Sequence, residues 1–204
     1  MKKLTMAAAM IAGLMGSSMV AAQAVVGQAA PAFSGVDIAG KTVSLTGLKG
    51  KYVVLEWMNP DCPFSQKHYN SGNMPATQKH AAARGVVWLS VNTSGSTESD
   101  PKAVATLAAW AKAKNTAATT ILIDDGKIAR TYGARTTPHI YLIDPAGKLI
   151  YAGAIDSKAS ANPADIAGAT NYVVQAIDEA TAGKPVGKPV TQPYGCAVKY
   201  GAAG

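Results

Sequence analysis

Tyr52-Val53-Val54-Leu55-Glu56-Trp57-Met58-Asn59-Pro60-Asp61-Cys62-Pro63-Phe64-Ser65 decides the fold. Its first half is apolar except for Glu56, as a strand buried on both faces requires. The second half turns the chain and carries Cys62 at the strand-to-helix junction. A helix beginning at or just after Cys62 points unpaired backbone N–H groups and the positive end of its dipole at the sulfur. That favours the thiolate, the nucleophilic form of cysteine. Cys196, near the C-terminus, is the only other cysteine.

Working outward, Asp37-Ile38-Ala39-Gly40 followed by Val43-Ser44-Leu45 reads as a small hairpin ahead of this strand. Beyond Cys62, Asn70-Ser71-Gly72-Asn73 interrupts the helix, and Pro75 opens a second one to about Arg84. Val86 to Val91 reads as a buried strand. Ser99 or Asp100 caps the next helix, which has Pro101 in its first turn and places Val104, Leu107, Ala108 and Ala111 on one face. Thr119 to Ile123 is a strand, Lys127 to Tyr132 a short helical turn, and His139 to Asp144 with Leu149 to Ala152 a hairpin about Pro145-Ala146-Gly147-Lys148. The last helix starts at Asn162-Pro163, presents Ile166, Val173, Ile177 and Ala180, and stops at Gly183. The order is βαβ followed by ββα. It gives an α/β fold with a central mixed sheet, helices on both faces and an N-terminal β-hairpin extension.

Lys2-Lys3, the apolar stretch Met6 to Met15 and the small residues ending Ala22-Gln23-Ala24 form the pattern of a secretory signal peptide cleaved after Ala24. No later segment approaches the roughly 20 apolar residues of a membrane span. The expectation is an exported, periplasmic protein in an oxidising space. Residues 1–24 are then the leader, 25–185 one domain, and 186–204 a tail carrying Cys196. The formal charge is +7 over the whole sequence. Its basic residues are scattered singly and aromatic content is low, which argues against a nucleic-acid partner.

The order of elements, a cysteine after the first long strand and Thr137-Pro138 before the hairpin together resemble the thioredoxin superfamily. Val26-Gly27-Gln28-Ala29-Ala30-Pro31-Ala32-Phe33, Gly40-Lys41-Thr42-Val43-Ser44-Leu45 and Gly50-Lys51 resemble its redoxin branch. That branch holds the alkyl hydroperoxide reductase and thiol-specific antioxidant proteins, peroxiredoxin-like proteins and periplasmic thiol-disulfide reductases. The resemblance implies a thioredoxin-like fold and a thiol-based oxidoreductase with Cys62 as nucleophile. It also implies a cis-proline loop at Thr137-Pro138 and a buried acid at Glu56. A carboxylate in an apolar strand has a raised pKa and can exchange protons with the Cys62 region, or it is held by hydrogen bonds in the core. A cis Pro138 exposes the backbone of Thr137 for a substrate chain to pair with as an added strand. Pro63, Phe64, Ser65 and Thr136 border the cysteine as substrate-side candidates, and His139 is a secondary one. Lys67 and His68 either form a solvated helix face or add positive charge near Cys62.

Two departures from the family pattern limit the reaction. Ser65 occupies the fourth position of the dithiol Cys-x-x-Cys motif, that of its second cysteine, and Asn59 and Pro138 stand where peroxidases carry hydroxyl and arginine groups. Cys196 is then either the resolving sulfur of a two-cysteine cycle or half of a permanent staple. The substrate is a protein disulfide or a peroxide, and the electron donor a thiol protein or small thiol. No cofactor is called for. A copper site built from Cys62, Cys196, His68 and His139 is a different class of function, disfavoured by spacing because six residues separate Cys62 from His68 around a helix. A binding domain with an inert cysteine is the third.

Overall fold

The computed structural model describes residues 23–93 and 100–200. The leader pattern falls outside these residues except for Gln23 and Ala24, and Ser99 falls outside them too.

Seven strands form the main sheet: β1 (Ser34–Asp37), β2 (Thr42–Ser44), β3 (Val53–Met58), β4 (Val87–Asn92), β5 (Thr120–Ile123), β7 (His139–Ile143) and β8 (Leu149–Gly153). Their order is β2-β1-β5-β4-β3-β7-β8. β3, β4 and β5 run parallel, and β7 returns antiparallel to β3 with Glu56 opposite Ile140 and Trp57 opposite His139. The hairpin β1–β2 extends the β5 edge, Val36 lying opposite Ile123. A second sheet has two short strands, β6 (Thr136–Thr137) and β9 (Cys196–Ala197).

Side chains of β3 alternate between two cores because successive residues of a strand point to opposite faces. Val54 and Met58 pack with Trp88, Ile121, Ile140 and Leu142 under α1 (Pro63–Asn70), α2 (Asn73–Ala82), α3 (Pro101–Ala113) and α5 (Tyr172–Thr181). Val53, Leu55 and Trp57 pack on the other side against α4 (Lys127–Tyr132), the N-terminal segment and Val198 of the tail. The sheet is therefore mixed and covered on both faces, and the fold is thioredoxin-like.

Two expectations change. The helix read from Asn162 is a 3-10 turn over Pro163–Ile166, and α5 begins only at Tyr172. Asn171 is the reason, since its side chain accepts from the N–H groups of Val173 and Val174 and so fixes a fresh N-terminus. The second helix starts at Asn73, ahead of Pro75, after Gly72 takes a φ of 78° that suits glycine. Asp100 caps α3 by accepting from the N–H groups of Lys102 and Ala103.

Candidate active site

Cys62 is the N-cap of α1, with Pro63 at the first helical position. Pro63 has no N–H and its φ suits a helix start, so β3 ends in a turn that leads directly into α1. Within this turn the Cys62 N–H bonds the Asn59 carbonyl, and Asn59 Oδ1 accepts from the Asp61 N–H. Ser65 is buried, and its hydroxyl accepts from the Asn59 N–H at 3.5 Å. It braces the turn and faces inward.

Cys62 and Cys196 form a disulfide with a Cα separation of 5.9 Å across 134 residues of sequence. Cys62 is 1% exposed. Its Sγ lies 3.1 Å from the Thr137 carbonyl oxygen. In the disulfide this is a contact, whereas a reduced thiol there can donate to that oxygen. The carbonyl thus favours the thiol while the α1 N-terminus favours the thiolate. The Thr137–Pro138 peptide bond is cis. Thr137 pairs antiparallel with Cys196 and Thr136 with Ala197. The edge expected to receive a substrate strand is thus occupied by the chain's own tail. Pro138 is buried, and the Thr136 hydroxyl donates to its carbonyl oxygen. Pro63 is exposed, while Phe64 is half-buried with its ring 5.9 Å from that of Tyr194.

Glu56 is fully buried in β3. Oε1 accepts from the Tyr69 hydroxyl at 2.8 Å. Oε2 accepts from Trp88 Nε1 at 2.7 Å, the Ser90 hydroxyl at 2.8 Å and Gln78 Nε2 at 3.2 Å. Burial raises its pKa against these four donors. None of the donors is Cys62.

Lys67 and His68 are 2% and 0% exposed, which overturns the solvated-face expectation. Tyr194 and Asp156, more than 85 residues away in sequence, cover that side of α1. His68 Nδ1 accepts from Asn73 Nδ2 at 2.8 Å, so Nε2 carries the proton and donates to the Tyr194 hydroxyl at 3.1 Å. That hydroxyl donates to Asp156 Oδ1 at 2.5 Å. Burial pushes the His68 pKa down to about 4, Asp156 opposing and Lys67 adding to the shift. Lys67 Nζ lies 3.6 Å from Asp156 Oδ2 and donates to the Lys158 carbonyl at 3.0 Å. Tyr194 and Asp156 escaped the sequence reading. The available signal was an aromatic residue two positions before Cys196.

His139 is buried, and its Nδ1 accepts from the Arg135 N–H. Burial and the Arg135 charge push its pKa down to about 3, leaving a neutral structural ring. Among the described residues no group of three His, Cys, Asp or Glu is arranged to hold a metal ion. No helix among them is long and apolar enough to cross a membrane.

No curated protein matches the chain. Among solved structures it is similar to an uncharacterized conserved protein from Geobacillus kaustophilus, with 22% identity and a TM-score of 0.74, covering 88% of this chain and 94% of that one. A hypothetical protein from Sinorhizobium meliloti 1021 is similar at 22% identity and a TM-score of 0.71, covering 88% and 96%. The thioredoxin domain of a thiol-disulfide oxidoreductase from Bacteroides vulgatus is similar at 26% identity and a TM-score of 0.50, covering 63% and 87%. The profile of the AhpC/TSA family matches residues 26–152, a span that contains Glu56, Cys62 and the cis Thr137–Pro138 bond. The chain belongs to the AhpC/TSA family, on a thioredoxin-like fold.

Proposed function

We propose that the chain is an exported thiol–disulfide oxidoreductase in which Cys62 is the nucleophile and Cys196 the resolving cysteine. The observation that carries this reading is the Cys62–Cys196 disulfide, held between the N-terminus of α1 and the cis Thr137–Pro138 segment. In the cycle, the Cys62 thiolate attacks a target disulfide, forming a mixed disulfide and releasing one target sulfur as thiolate. Cys196 thiolate then attacks Cys62 Sγ, forming the Cys62–Cys196 bond and releasing the second target sulfur. The target gains two electrons, and an external dithiol or small thiol returns them to the chain. Relative potentials set the direction.

A disulfide substrate is favoured over a peroxide by the surroundings of Cys62. Pro138 supplies no donor to polarise a peroxide, and Asn59 stands in place of the hydroxyl, buried in the turn with its Oδ1 accepting from the Asp61 N–H. Glu56, with its raised pKa and its hydrogen bond from Tyr69 of α1, is read as a proton reservoir behind the site. The leader over residues 1–24 supports export, and the 186–204 segment is read as the redox tail of a 25–185 domain.

Stopped-flow oxidation of the reduced protein by hydrogen peroxide and by a protein disulfide tests the reaction. The disulfide should win by orders of magnitude, and Cys62→Ser should abolish both rates. A redox titration separates a cycling pair from a permanent staple. A staple has a potential below about −300 mV, and a cycling pair titrates above it.

A further inference from the structure

We propose that the β6 edge and the pocket beside it form a docking track for extended target segments of the pattern aromatic–glycine–cysteine–any–aliphatic. The chain's own Tyr194-Gly195-Cys196-Ala197-Val198 is the resident competitor for that track. This inference rests on the thiol–disulfide cycle proposed above and names the targets of the same site.

The seated tail gives the pattern position by position. Thr137 pairs with Cys196 and Thr136 with Ala197, and the Val198 N–H continues the ladder to the Arg135 carbonyl at 3.0 Å. Main-chain pairing of this kind supplies affinity without sequence preference, and pockets for particular side chains supply specificity. Gly195 has a φ of 138°, and a Cβ there would run into the Thr137 carbonyl, so the residue before the cysteine must be glycine. The Tyr194 ring packs on Phe64 and lies 5.5 Å under the Lys67 ammonium. Its hydroxyl is held between Asp156 and His68, both buried. Asp156 Oδ2 makes no hydrogen bond among the described residues and faces the Lys67 ammonium at 3.6 Å, so the carboxylate that holds the tyrosine hydroxyl is itself fixed by charge. Ala197 is exposed and imposes nothing, whereas Val198 is buried in the second core.

One strand edge pairs one strand at a time. A target segment must displace the tail to bring its cysteine to Cys62. The tail's return then carries Cys196 to the mixed disulfide and removes the target strand in the same movement. The resolving step is thereby coupled to target release, and a target that resembles the tail competes best.

The test uses the full chain carrying Cys196→Ser, and a synthetic peptide copying residues 192–200 whose cysteine is joined by a disulfide to 2-thiopyridine. Cys62 thiolate attacks the peptide sulfur, forming the protein–peptide disulfide and releasing 2-thiopyridone, which is followed by absorbance. Reactivity toward 2,2′-dithiodipyridine measures the intrinsic nucleophile. The copied peptide should react about tenfold faster than peptides in which the residue matching Gly195 or Tyr194 is alanine. Adding Tyr194→Ala to the protein should raise the ratio of peptide rate to dithiodipyridine rate, because the resident tail is weakened. Reduced wild-type protein gives the same order of peptides should Cys196→Ser fail to fold. Equal rates for all peptides with brisk dithiodipyridine reaction overturn the docking track and leave the redox cycle standing. A Cys62 inert to dithiodipyridine as well overturns both.

Discussion

At the scale of single residues, Glu56 and the two buried histidines set opposite pH dependences, and the signs follow from where each group holds its proton. Burial raises the Glu56 pKa above its ordinary 4.5, so the folded chain binds that proton more tightly than the unfolded one. Stability from Glu56 is therefore complete below about pH 4.5 and is lost as pH rises through the raised value. Glu56→Gln removes this titration, and the stability of wild type minus variant should fall as pH rises above about 4.5 in urea unfolding. A flat difference would mean that the four donors cancel the burial. The same substitution should shift the pH profile of Cys62 alkylation in the reduced protein if Glu56 exchanges protons with the site. His68 and His139 behave in reverse, with folded pKa values of about 4 and about 3 against an ordinary 6.5. Their contribution is complete above pH 6.5 and is lost as pH falls toward the folded values, each costing up to about 1.4 kcal/mol per pH unit. In the Glu56→Gln background, stability should drop between about pH 6.5 and pH 4.5, and adding His139→Asn should flatten that drop.

Among elements, α1 does the most with the least sequence warning. Its start at Cys62 was legible because a long apolar strand, a turn and a proline occur in order. β3, β4, α4 and the β7–β8 hairpin were legible for the same reason, each carrying its own periodicity or turn chemistry. The burial of Lys67 and His68 was not, because their covering residues Asp156 and Tyr194 arrive from the far end of the chain. The break before α5 was hidden too, since Asn162-Pro163 and Asn171 both carry start signals and only the packing chooses the second. Tyr194 now ties α1 to the tail through one hydroxyl. Tyr194→Phe keeps the ring against Phe64 but leaves the His68 donor and Asp156 Oδ1 without it, at a cost of about 1–3 kcal/mol. Because that hydroxyl also holds Cys196 near Cys62, the variant should raise the midpoint potential, by ~30 mV for each tenfold loss of docking. An unchanged potential would show that the tail is held equally well without it.

On the scale of the molecule, the tail closes the fold. Ser65 in place of a second nearby cysteine made Cys196 the only intramolecular partner, and that much was legible. The delivery of Cys196 was not, because a two-residue strand pairing with Thr136–Thr137 carries no pattern. Around the disulfide, the tail is fixed by hydrogen bonds of Thr191 to β8, by Tyr194 on α1 and by Val198 in the second core. These contacts exist without the S–S bond, so reduction should leave the native tail docked and act mainly on the unfolded chain. A closed loop of 134 residues restricts that unfolded chain by about 5 kcal/mol of entropy in the chain-closure account. Reduced wild type and Cys196→Ser should then be less stable than the oxidised protein by about 3–5 kcal/mol in guanidinium unfolding, and equal to each other. Hydrogen exchange of the Val198 amide should stay protected in both, because its bond to the Arg135 carbonyl survives reduction. Loss of that protection on reduction would mean that the disulfide holds the tail in place, and that the reduced tail leaves the β6 edge open to any incoming strand.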